Sequence, residues 1–99
     1  MAKYKVSIDK DLQDIVPGYL ESRRKEIPEL FAAQLAGDLE SLRKAGHKLA
    51  GSGGGYGFDR LSELGKQVET LSRTGDAAGV AARLVELKDY IENLEVAYE

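Results

Sequence analysis

Ninety-nine residues carry 14 Lys and Arg against 17 Asp and Glu, a formal net charge of −3 with His neutral, and 42% of them are hydrophobic. One soluble domain spanning 1–99 is expected, and nucleic acid is a poor main partner, because phosphate binding needs a basic face. The absence of cysteine excludes disulfides, thiol catalysis and Cys-ligated zinc; with no long apolar run and no apolar signal core after Met1, no membrane partner and a cytoplasmic location are expected.

In chain order, residues about 9–16 read as a short helix whose Leu12, Ile15 and Val16 cover one end of the fold. Pro17 then opens a helix over about 17–36, with Tyr19, Leu20, Ile27, Leu30, Phe31 and Leu35 on its apolar face. Pro28 removes a backbone donor inside that stretch, which predicts a kink or break near Arg24 to Ile27. Arg23-Arg24-Lys25 reads as a solvated helix face. Gly37-Asp38 is a stop followed by a cap. It introduces a helix over about 39–54 with the stripe Leu39, Leu42, Gly46, Leu49, Gly53, Tyr56.

Asp59 is placed to cap the next helix, about 59–73, which buries Leu61, Leu64, Val68 and Leu71. After the breaker Gly75 and the cap Asp76, a last helix over about 77–96 is expected. Its stripe of Val80, Leu84, Leu87, Ile91, Leu94 and Tyr98 steps by four and three for about five turns. No sustained two-residue alternation is found, so no strand is expected. The short connections at 36–38, 55–59 and 73–76 make sequential helices antiparallel neighbours. The fold class is therefore all-α: an antiparallel, up-down four-helix bundle with a short additional N-terminal helix.

His47 is the only imidazole in the chain. It sits one step beyond Gly46, on the flank of the core stripe, with Arg43, Lys44, Ala50 and Gly51 as its neighbours three and four residues away. That is a small-residue patch with two cations, suited to an anion; a surface histidine on a solvated basic face is the plainer reading. Gly51-Ser52-Gly53-Gly54-Gly55-Tyr56-Gly57 is either helix, with several glycines each costing roughly 1 kcal/mol, or a flexible loop ending it. A phosphate-cradling loop fits poorly, because no Gly-Lys-Ser/Thr ending and no preceding strand exist. Across the helix pair, Ser62, Lys66 and Glu69 line one flank. Glu69 either accepts a hydrogen bond from His47 Nδ1, leaving the Nε2 lone pair outward, or pairs with Lys66. One histidine cannot build a ferritin-like di-iron site or a His-rich zinc site, and no Gly-x-Ser-x-Gly elbow is present.

His47-Lys48-Leu49-Ala50-Gly51-Ser52, followed by Tyr56-Gly57 and then Phe58-Asp59-Arg60-Leu61, resembles the signature of histidine phosphotransfer (HPt) domains of two-component signalling. The resemblance extends from about Ile15 to the last helix. It implies a helical bundle whose exposed histidine carries a phosphoryl group to or from the aspartate of a response-regulator receiver domain, with a sensor histidine kinase upstream. His47 matches the phosphoacceptor and Glu69 the residue that orients the imidazole. Lys48, Ala50, Gly51 and Gly54 fall on the expected docking patch for the partner. Ala50 stands where the family usually has lysine, so Arg43, Lys44 and Lys66 are expected to offset the phosphoryl charge. No metal or cofactor is expected on this chain, since the receiver would bring the Mg²⁺, and no ATP-dependent kinase fits within its length. Two alternatives stay open: a receiver-binding module that is not phosphorylated, and a detached substrate domain of a chemotaxis-type histidine kinase.

Overall fold

The computed structural model describes residues 3–99. Four helices fill most of the chain: α1 (Val16–Leu35), α2 (Leu39–Gly55), α3 (Asp59–Arg73) and α4 (Ala77–Glu92). α1 packs on α2 and α4, and α3 packs on the same two helices, closing a ring around one apolar core. The expected stripes supply it. Leu42, Leu49, Leu61, Leu64, Val68, Val80, Leu84, Leu87 and Ile91 are all buried. Gly37 and Gly75 lie in the left-handed region, φ 72° and 80°, and end α1 and α3 as helix stops. Asp38 and Asp76 cap the helices that follow by accepting from the backbone N–H of Ser41 and Gly79.

Several expectations are corrected. The described residues include two strands, β1 (Tyr4–Ile8) and β2 (Leu94–Tyr98), paired in parallel with Tyr4 opposite Leu94, Val6 opposite Val96 and Ile8 opposite Tyr98. α4 therefore stops at Glu92, and Leu94 and Tyr98 reach the core from a strand. Their spacing of four is compatible with both periods, and the choice is settled by β1, at the far end of the chain. A parallel pair needs a long crossover, and here all four helices form it. The short helix expected over 9–16 is a single 3₁₀ turn, Lys10–Leu12; Val16 is buried, whereas Ile15 is half exposed.

Pro28 does not break α1, which runs unbroken from Val16 to Leu35. Leu35 ends it 84% exposed, outside the core. The cap of α3 is Phe58, not Asp59; the fully buried Phe58 ring fixes that position and leaves Asp59 as a first-turn carboxylate. Arg23 is no solvated cation either. Its guanidinium lies 4.7 Å from the Tyr19 ring centroid and binds Glu26. Among the described residues, no helix is long and apolar enough to cross a membrane.

Candidate functional site

The site is built on a close approach of α2 and α3. A Cβ added at Gly46 would lie 2.7 Å from the Glu69 nitrogen and from the Gly65 carbonyl oxygen. One at Gly65 would lie 2.5 Å from the Ala50 nitrogen, and one at Gly53 would lie 2.9 Å from the Ser62 nitrogen. The crossings thus set Gly46 against Gly65 and Glu69, Ala50 against Gly65, and Gly53 against Ser62. No side chain larger than hydrogen fits at these crossings, which explains glycines in helices that would otherwise gain about 1 kcal/mol each from alanine. Ser62 Oγ adds a tie, donating to the Ala50 carbonyl at 2.7 Å. The glycine-rich run is thus helix as far as Gly55.

This proximity brings the backbone of Glu69 beside Gly46, one residue before His47. Glu69 Oε2 lies 3.0 Å from His47 Nδ1. The His47 side chain is 74% exposed and the Glu69 side chain 17%. A carboxylate accepts only, so the bond is made when Nδ1 carries the proton; Nε2 then keeps its lone pair on the solvent side of the ring.

The other expected site residues divide. Gly51 is open, with nothing within 4 Å of an added Cβ, and Gly54 meets only the Ser62 side chain. With part-exposed Ala50, they leave a low surface beside the imidazole. Lys44 and Lys48 line a groove of about 390 Å³ between α1 and α2, shared with Arg23, Glu26 and Ser52. Arg43 is bound by Glu40, whose carboxylate accepts from Nε at 3.1 Å and from Nη2 at 2.6 Å, and it also feels the charge of Glu69. That pairing lifts the Arg43 guanidinium above its ordinary pKa and holds Glu40 below the usual carboxylate range. Lys66 lines a groove on the α4 side of α3, with Gln67, Thr70 and Arg83, and makes no pair with Glu69.

Glu69 pairs instead with Arg73, a residue that sequence reasoning passed over although its i, i+4 spacing from Glu69 was visible. Arg73 Nη2 lies 3.1 Å from Oε2, the same oxygen that meets the imidazole. A second unforeseen anchor is Tyr19, whose hydroxyl lies 2.7 Å from Ser52 Oγ and whose ring stacks on Tyr56 at 4.1 Å, tying α1 to the glycine-rich end of α2. Among the described residues, no group of three or more His, Asp or Glu is arranged to hold a metal ion.

The Hpt domain family model matches residues 5–97, from β1 to β2. The chain belongs to the Hpt domain family. Hpt domains act in histidine phosphotransfer of two-component signalling, where they meet response-regulator receivers and histidine kinases. No curated protein and no solved structure matches the chain.

Proposed function

We propose that this Hpt domain is a phosphorelay carrier in which His47 Nε2 accepts a phosphoryl group from a receiver phosphoaspartate and returns it. The observation that carries the reading is the exposed imidazole with Nδ1 against Glu69. As the Nε2 lone pair forms the N–P bond, the P–O bond to the aspartyl carboxylate breaks. The aspartate leaves as a carboxylate, and the ring keeps its Nδ1 proton and gains positive charge. Glu69 faces that charge, so it stabilises the product and the loose, in-line transition state alike. The low patch at Ala50, Gly51 and Gly54 admits the rim of a receiver's acidic cleft, and Lys44 and Lys48 face the incoming anion from the α1 side. Glu40 binds Arg43 and lies 3.9 Å from Lys44 Nζ, so it offsets part of the charge of both, and Lys66 stands on the other groove.

The finer picture is an up-down, antiparallel bundle forming one cytoplasmic domain. It works between a sensor histidine kinase and receivers, with no cofactor of its own and a divalent cation supplied by the receiver. Incubation with a receiver phosphorylated on its aspartate tests this reading. Acid-labile, alkali-stable label should move to the wild-type chain and not to His47→Gln. Receiver binding without label would favour the non-phosphorylated module. Label arriving only from an isolated ATP-binding kinase domain would favour the detached substrate domain.

A further inference from the structure

Two donors converge on one oxygen at the site: His47 Nδ1 at 3.0 Å and Arg73 Nη2 at 3.1 Å, both to Glu69 Oε2. The Glu69 stem is largely covered at the α2–α3 crossing, whereas Arg73 is 62% exposed. As a contribution to stability such an exposed i, i+4 pair is worth only a few tenths of a kcal/mol. Its geometric consequence is larger. A glutamate has three side-chain torsions, and with both donors on the same oxygen the carboxylate cannot turn away without losing both hydrogen bonds.

Of the cations near the ring, Arg73 hydrogen-bonds Glu69 directly, whereas Arg43 acts on Glu69 only through its charge. On α2, Arg43 is committed to Glu40 by two hydrogen bonds, and Lys44 lies 3.9 Å from the same carboxylate. Lys48 lines the α1 groove. On α3, Lys66 lines the groove toward Arg83.

We infer that Arg73 is a positioning residue for phosphoryl transfer, fixing the Glu69 carboxylate so that His47 holds its proton on Nδ1 and offers Nε2 to the incoming phosphoryl group. The inference rests on the phosphotransfer reading above and deepens it. Arg73 touches neither the ring nor the phosphoryl group and acts through Glu69. Free imidazole side chains favour the opposite tautomer, so loosening the carboxylate moves the proton toward Nε2 and removes the nucleophile from part of the population.

The test combines the His47 tautomer, read from ¹⁵N NMR of the imidazole at neutral pH, with transfer kinetics from a phosphorylated receiver. Arg73→Gln is expected to raise the Nε2–H population and to lower the maximal transfer rate about fivefold with KM unchanged. Arg73→Lys should recover most of that loss. In a Glu69→Ala background, Arg73→Gln should have no further effect, because the residue it acts through is gone. An unchanged tautomer in Arg73→Gln, or the same fold-loss with and without Glu69, would overturn the inference. If the wild-type chain accepts no phosphoryl group, the phosphotransfer reading fails by itself, and the tautomer measurement still decides whether Arg73 positions Glu69.

Discussion

Gly65 of α3 lies so close to Ala50 of α2 that a methyl group in its place would sit 2.5 Å from the Ala50 backbone nitrogen. That contact sets the separation of the two helices and hence whether the Glu69 carboxylate reaches the ring of His47. Gly65→Ala gains up to about 1 kcal/mol of helix propensity and pays about 1–3 kcal/mol for overpacking a site that backbone occupies. Net destabilisation is expected in urea unfolding, with a weakened His47–Glu69 hydrogen bond. Gly51→Ala, with open space around the added methyl, should instead stabilise the fold by about 0.5–1 kcal/mol. Equal effects of the two substitutions would refute the close-packing account.

The strand pair supplies a pH prediction. Lys3 Nζ at 2.9 Å and the Tyr4 hydroxyl at 2.6 Å both donate to Asp89 Oδ2, tying the start of β1 to α4. The Tyr4 and Lys3 hydrogen bonds hold the Asp89 carboxyl below its ordinary range. A depressed folded value means stability that is present above the unfolded carboxylate value, about 3.9, and is lost as the pH falls through the lower folded value. Asp89→Asn should lower the thermal midpoint at pH 7 and narrow its difference from the wild type below about pH 4. A constant difference across that window would show that Asp89 contributes through packing and not charge.

Glu69 carries a prediction of its own. Glu69→Ala removes the acceptor for Nδ1 and should slow phosphoryl transfer about tenfold or more. Glu69→Gln keeps an acceptor oxygen but loses the charge that faces the cationic phosphorylated ring, so its rate should fall between the two. Stopped-flow transfer from a phosphorylated receiver measures both. A Glu69→Ala chain as fast as the wild type would remove Glu69 from the mechanism.

Much of this site was legible before any coordinates, for a physical reason. His47, Gly46, Gly51 and Glu69 belong to amphipathic helices whose registers are set by local 3.6-residue periodicity, and the close crossing of α2 and α3 brings His47 and Glu69 together. What escaped is non-local or ambiguous. β1 and β2 pair residues some ninety positions apart, and Leu94 and Tyr98 satisfy either period, so periodicity extends the last helix four residues past its end at Glu92. Phe58 took the cap position from Asp59 because burying a ring outweighs one cap hydrogen bond. Arg43 and Arg73 each find a carboxylate one turn away on their own helix, Glu40 and Glu69, and spacing alone does not rank which of the two cations meets Glu69.

The most direct measurement is ³¹P and ¹⁵N NMR of uniformly ¹⁵N-labelled protein after transfer from a phosphorylated receiver. The account predicts a single phosphorus coupled to Nε2 of His47, with Nδ1 protonated, and no such signal in a folded His47→Gln chain. Phosphorus bonded to Nδ1, or present on the Gln variant, or absent from the wild type, would contradict it.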